Sequence, residues 1–155
     1  MDVHGVLVRT AHERDLGRIH HIELAAFADS WSLEAFRDLL DHPHARILVA
    51  EGAHGELLGY AAAWFVADES EIANLAVDPL ARRRGVGGLL LDRILAAGAA
   101  LGVRSVYLEV RESNAAGIAL YASRGFEIAG RRVRYYRMPD EDALLMKRSF
   151  RPSGS

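Results

Sequence analysis

The sequence predicts an α/β fold with a mixed, mostly antiparallel central sheet of about seven strands and flanking helices. Three observations predict it. Apolar segments of strand length alternate with segments of helical period. The segments at 47–50, 57–66 and 72–77 are separated only by turns, which implies an antiparallel meander. A long helical segment then separates the strand at 72–77 from one at 103–110, and a helix crossing between two strands makes that pair parallel.

Val6 to Arg9 reads as the first strand. Thr10 with Glu13 has capping-box spacing, and Leu16, Ile19, Ile22 and Leu24–Phe27 continue at helical period. Ser32 is a good N-cap for a second helix bearing Leu33, Phe36, Leu39 and Leu40, which His42-Pro43 stops. Ile47–Ala50 and Leu57–Val66 are strands joined through Gly52 and Gly55, and Ile72–Val77 is ended by Asp78-Pro79. Val86, Leu90, Ile94, Ala97 and Leu101 line one face of a third helix, with Gly102 as its stop. A strand at Val103–Val110 follows, then a helix from Asn114 to Gly125. Phe126–Ala129 with Val133–Tyr136, and finally Ala143–Met146, complete the sheet. Residues 1–150 read as one domain and 151–155 as a flexible tail.

Composition narrows the function classes. A chain of 155 residues is long enough to bury roughly 70% of its unfolded surface in one core. The net charge of −2 gives no global attraction to nucleic acid or anionic lipid. No cysteine is present, which excludes disulfides, thiolate metal sites and a cysteine nucleophile. No apolar run approaches a membrane span, and the start lacks a secretory layout, so a cytoplasmic location is expected. Of 19 basic residues only Lys147 is lysine, which disfavours lysine-based catalysis.

The strongest local signal is Arg82-Arg83-Arg84-Gly85-Val86-Gly87-Gly88, set between a strand and a long amphipathic helix. Glycines let the backbone turn tightly, the helix start presents unpaired N–H groups, and the arginines add charge suited to a pyrophosphate. A glycine turn with solvated arginines is the plain alternative. A P-loop is excluded because no Gly-Lys followed by Ser or Thr occurs here. A dinucleotide fingerprint lacks its third glycine, where Leu90 stands, and the loop follows several strands instead of the first.

The stretch from Asn74 through Val77-Asp78-Pro79, followed by Arg83 to Gly88, resembles the acetyl-CoA-binding core of the GNAT superfamily of N-acetyltransferases. Arg82-Arg83-Arg84-Gly85-Val86-Gly87 matches that family's Gln/Arg-x-x-Gly-x-Gly/Ala pattern. The resemblance spans Val6 to Lys147 and implies the GNAT fold. Leu108 to Asn114, Tyr121, Gly125-Phe126, Trp31-Ser32 and Arg132 with Tyr135-Tyr136 are similar to the RimI branch, which acetylates the N-terminal alanine of a ribosomal protein. Ser30 departs from that branch, which commonly has proline there.

The resemblance implies acetyl-CoA as cosubstrate and a protein N-terminus as acceptor, with no direct nucleic acid and no membrane. Glu109, on a strand beside the cofactor cleft, is the candidate general base, since an ammonium must lose its proton before it can attack a thioester. A structural pair with Arg111 is the alternative. Asn114 and Tyr121 are two helical turns apart, and the resemblance suggests that Asn114 holds the cofactor while Tyr121 protonates its sulfur. Mere packing is the alternative for Tyr121. Leu75, Ala76 and Val77 are implied to contribute backbone groups, from a strand that splays from its neighbour. Trp31, Tyr135 and Tyr136 are candidate walls for the acceptor, with core roles equally open. Asp68-Glu69-Ser70-Glu71 reads as a solvated hairpin turn, and the arginines at 131, 132, 134 and 137 as a solvated edge. The seven histidines offer no convincing three-ligand set, so no metal is expected. A same-fold enzyme for a small amine or lysine, and a non-catalytic CoA-binding sensor, remain the other readings.

Overall fold

The computed structural model describes residues 5–137 and 139–150, so the expected tail at 151–155 lies outside the described residues. Seven strands form one sheet: β1 (Leu7–Thr10), β2 (Ala45–Glu51), β3 (Leu57–Val66), β4 (Glu69–Val77), β5 (Ser105–Arg111), β6 (Glu127–Tyr136) and β7 (Glu141–Ser149). Four α-helices accompany them: α1 (Leu16–Ala26), α2 (Leu33–Asp41), α3 (Val86–Ala100) and α4 (Ala115–Ser123). The strand order is β1-β2-β3-β4-β5-β7-β6, and β4–β5 is its single parallel pair. The mixed, mostly antiparallel sheet expected from the sequence is therefore the one that forms.

β3 lies inside the sheet and is apolar along nearly its whole length, because both of its faces are covered. Tyr60 and Ala62 join a core with α1 and α2, while Ala61, Ala63 and Phe65 join a second core with α3. Helix α3 buries Val86, Leu90, Leu91, Ile94 and Leu95, at about 1.5–3 kcal/mol for each large side chain fully removed from water. Ser32 caps α2 as expected, accepting the Ala35 N–H at 3.1 Å.

Several local expectations shift. Thr10 does not cap a helix, because it is the last residue of β1 and pairs with Leu48. The chain instead enters α1 through a 3₁₀ turn at Glu13–Asp15, where the Asp15 carboxylate accepts the His12 N–H at 2.8 Å. The strand expected from Val103 begins at Ser105. Val103 is still in the helix exit, donating its N–H to the Gly98 carbonyl at 2.9 Å while Gly102 holds φ +81°. The hairpin turn before β4 is only Ala67-Asp68, so Glu69, Ser70 and Glu71 belong to the strand and not to a solvated turn.

Candidate active site

The site is built where the only parallel pair comes apart. The β4–β5 ladder runs from Glu69↔Ser105 to Ile72↔Leu108 and ends there. β4 nevertheless continues to Val77, held on its other side by β3 through Ala61↔Leu75, Tyr60↔Ala76 and Gly59↔Val77. A bulge sets this up: Ala62 pairs with Asn74 and Ala63 with Ile72, so Ala73 is an extra residue that bends β4. Leu75, Ala76 and Val77 thus form one arm of a fork, and Glu109 stands on the other arm just past the last paired residue. Gly59 permits the tight β3–β4 approach, since a Cβ there would come within 2.8 Å of the Ala76 carbonyl oxygen.

On one side of the fork lies the start of α3. Gly85 is its N-cap with φ +78°, and Arg83 also has φ +66°, so the loop runs through two left-handed residues before the helix begins. The first turn of this 15-residue helix presents N–H groups with no partner inside the helix. Arg82, Arg83 and Arg84 are all exposed beside it. Gly87 faces Val77 and Leu75 of the fork and Leu120 of α4, and a Cβ at Gly88 would run into the Arg124 guanidinium. The loop, the fork and α4 therefore enclose one surface, with donors at its α3 end.

Asn114 is the N-cap of α4, and Tyr121 lies two turns along it. Asn114 is exposed and caps the helix, its Oδ1 accepting the Gly117 N–H at 2.9 Å. Tyr121 is buried and packs on Phe126 with ring centroids 5.9 Å apart. Burial pushes its hydroxyl up to about 12, so it keeps its proton throughout the neutral range.

On the other face, beyond the cover of α1 and α2, an open cavity of about 390 Å³ is lined by Trp64, Glu71, Tyr107, Glu109 and Arg132, among others. Glu109 does not pair with Arg111. Its Oε1 meets Arg132 Nε at 3.3 Å, and its Oε2 is buried with no hydrogen-bond partner. The arginines at 131, 132, 134 and 137 are exposed on or beside the edge strand β6, as expected, and two of them are also paired: Arg132 with Glu109, and Arg131 with Glu112 at 2.7 Å and Asp142 at 3.1 Å. Desolvation, then the charge of Glu109, raises the Glu71 carboxyl above its ordinary value, with Arg132 opposing. Carboxylates sharing one guanidinium make a cavity suited to an ammonium group.

The aromatic candidates occupy the rims. Trp31 is half-buried, its ring 5.3 Å from Phe36. Tyr135 is 51% exposed and its ring meets that of Tyr136 edge-on at 5.1 Å, so neither tyrosine is sealed in the core. Both hydroxyls are raised, first by burial and then by Glu109. Among the described residues no cluster of three or more His, Asp or Glu could hold a metal ion.

Sequence reasoning passed over a buried carboxylate. Glu23, on α1, is 1% exposed and accepts hydrogen bonds from the Tyr60 hydroxyl, from Asn74 Nδ2 at 2.9 and 3.0 Å, and from the Trp31 N–H at 2.8 Å. It joins α1, β3, the bulged part of β4 and the approach to Trp31. Its signal was legible: an acid directly after Ile22, on the face that Ile19 and Ile22 bury, needs partners.

The profile of the acetyltransferase (GNAT) family matches residues 16–126. The chain is 38% identical over 134 residues to the [ribosomal protein bS18]-alanine N-acetyltransferase of Escherichia coli K12, covering 85% of this chain and 89% of that protein. It is 37% identical over 155 residues to the N-alpha-acetyltransferase RimI of Mycobacterium tuberculosis, covering 95% and 94%. The crystal structure of the ribosomal-protein-S18-alanine N-acetyltransferase from Escherichia coli superposes with a TM-score of 0.87 at 34% identity, covering 97% of this chain and 98% of that one.

Proposed function

The chain belongs to the acetyltransferase (GNAT) family and is an N-acetyltransferase using acetyl-CoA, and from that premise we propose that it acetylates the N-terminal alanine of a ribosomal protein. The observation that carries the reading is the fork between β4 and β5, with the buried, unpartnered Oε2 of Glu109 at its edge. Acetyl-CoA enters as a substrate. The residues that fit it are the N–H groups from Val86 to Gly88, the guanidiniums of Arg82 to Arg84, and the backbone of Leu75, Ala76 and Val77. Asn114 borders the same surface from the start of α4.

Transfer is direct. Glu109 accepts a proton from the acceptor ammonium, freeing the nitrogen lone pair. The nitrogen bonds to the thioester carbonyl carbon, and an N–H of the fork backbone stabilises the oxygen as it gains charge. The carbon–sulfur bond then breaks, Tyr121 gives its proton to the departing thiolate, and the second proton that the nitrogen loses on becoming an amide restores the Tyr121 hydroxyl through water. Trp31, Tyr135 and Tyr136 line the path of the acceptor. The absence of cysteine accords with no covalent acyl-enzyme. No helix among the described residues is long and apolar enough to cross a membrane.

The test is thiol release from acetyl-CoA with a short peptide beginning Ala-Arg, beside the same peptide with its N-terminus blocked. Release with the free peptide alone supports N-terminal acetylation. Equal release from both points to a side-chain amine or to hydrolysis. Bound acetyl-CoA with no release from either leaves a small-amine enzyme or a CoA-binding sensor.

A further inference from the structure

β5 ends, two residues past Glu109, in a side chain that the transfer chemistry does not use. Arg111 is only 19% exposed at its side chain, and its guanidinium is ringed by oxygens from separate segments. Nη1 donates to the Pro139 carbonyl at 3.0 Å and to Glu141 Oε1 at 3.3 Å. Nη2 donates to the Arg137 carbonyl at 2.9 Å and reaches Asp29 Oδ1 at 3.4 Å. The same guanidinium lies over the Tyr136 ring, 4.5 Å from its centroid.

Glu141 begins β7, and the other oxygen partners come from two connections that share no ladder. Arg137 and Pro139 belong to the link between β6 and β7, and Asp29 to the link between α1 and α2. The candidate acceptor aromatics sit on the same two rims: Tyr135 and Tyr136 close β6, and Trp31 lies two residues after Asp29. Glu141 extends the junction further, since its other oxygen accepts the Ser113 N–H at 2.5 Å at the entrance to α4. Only a planar fork with several fixed donors can serve two carbonyls and two carboxylates at once, and lysine cannot reproduce it. Asp29 and Glu141 supply more negative charge than Arg111 needs for balance, so it is not drawn toward Glu109.

We propose that Arg111 is a positioning residue that fixes the two rims of the acceptor groove relative to each other, so that the acceptor meets an ordered groove. This rests on the acceptor lying between those rims, as in the proposed function. Loops ordered beforehand lower the entropy cost of binding, so the effect falls on acceptor affinity. None of the direct partners of Arg111 lies on β4, α3 or α4, which build the cofactor surface.

The test uses steady-state kinetics of the full chain with the Ala-Arg peptide and acetyl-CoA, for wild type, Arg111→Lys, Asp29→Asn and the double variant. Arg111→Lys is expected to raise the peptide KM by about tenfold, with the acetyl-CoA KM and kcat held within about threefold. Asp29→Asn, a partly exposed change that spares the core, is expected to raise the peptide KM by about threefold. It should add little on top of Arg111→Lys, because both act through one contact. Amide hydrogen exchange should quicken at 27–32 and at Arg137 and Asp140 in Arg111→Lys, and only at 27–32 in Asp29→Asn.

An unchanged peptide KM in Asp29→Asn with unchanged exchange at 27–32 overturns the proposal, even if Arg111→Lys does not fold. So does a rise in both KM values together, or a shift of the pH–rate profile, which would mean that Arg111 acts on Glu109. If the wild type discriminates free from blocked peptide and the variants behave as wild type, the inference alone fails. If the wild type uses neither peptide, the N-terminal acceptor reading fails first.

Discussion

Replacing Glu23 by alanine tests whether the buried carboxylate holds the site together. The change leaves three donors facing an empty space: the Tyr60 hydroxyl, the Asn74 amide and the Trp31 N–H. An unsatisfied buried donor costs roughly 1–3 kcal/mol. Tyr60 is wholly buried and bears the full cost, whereas Asn74 and Trp31 are half-buried and regain some water. The sum is about 3–5 kcal/mol, a large share of the roughly 5–15 kcal/mol that holds a domain folded. With a urea m-value of roughly 2 kcal/mol per molar, the unfolding midpoint drops by about 2 M.

The same variant carries a signed pH test. Burial raises the Glu23 carboxyl above its ordinary value, and the bonds from Tyr60, Trp31 and Asn74 offset this only in part. A raised carboxyl contributes stability that is fully present below the unfolded value of 4.5 and is lost as pH rises through the folded value. The penalty of Glu23→Ala is therefore largest in acid and shrinks as pH rises through that window. Equilibrium urea unfolding across pH 4 to 8 reads both quantities. A penalty under about 1 kcal/mol, or one that grows with pH, refutes the reasoning.

Four further outcomes are expected. Glu109→Gln should lower kcat by about 10²–10⁴ while acetyl-CoA binding by calorimetry is unchanged, since the carboxylate lines the open cavity on the sheet face opposite α3. Tyr121→Phe should lower kcat more than either KM, and because burial lifts this hydroxyl to about 12, any alkaline limb near pH 9 in the wild-type rate must belong to another group. Gly85→Ala forces a side chain into φ +78° and should cost about 1–2 kcal/mol by thermal unfolding, together with weaker acetyl-CoA binding. The Asp15 carboxyl is held below its ordinary value chiefly by Arg9, bonded at 2.8 and 3.0 Å, so its contribution is present above 3.8 and lost as pH falls through the folded value; Asp15→Asn should flatten the acid limb of the stability curve.

The parts of the fold that could be read from the chain are those set by local rules. Helix and strand periods, Ser32 as a cap, and the stops at Gly102 and Asp78-Pro79 depend on neighbours a few residues away, and they recur in the structure with ends shifted by up to three residues. The parallel β4–β5 pair followed from the length and period of the segment between those strands. The glycine-arginine loop was legible for the same reason, because left-handed turns and an open helix start are properties of the local backbone.

Pairing across the sheet was not legible in this way. Nothing in the sequence near Glu109 selects Arg132 over Arg111 as its partner. Residues 109 and 111 share a face of one strand, and Arg132 reaches Glu109 from β6 across the intervening β7. Glu71 looked like turn polarity until the two-residue turn placed it in a strand beside Glu109. The fork itself is a consequence of one extra residue in β4 against β3, a register that only the assembled sheet sets. Local chemistry in the chain determined which residues could carry charge, turn or cap. The tertiary structure alone decided which of those charges meet, because partners for a buried or half-buried side chain are set by strand order and register, not by distance along the sequence.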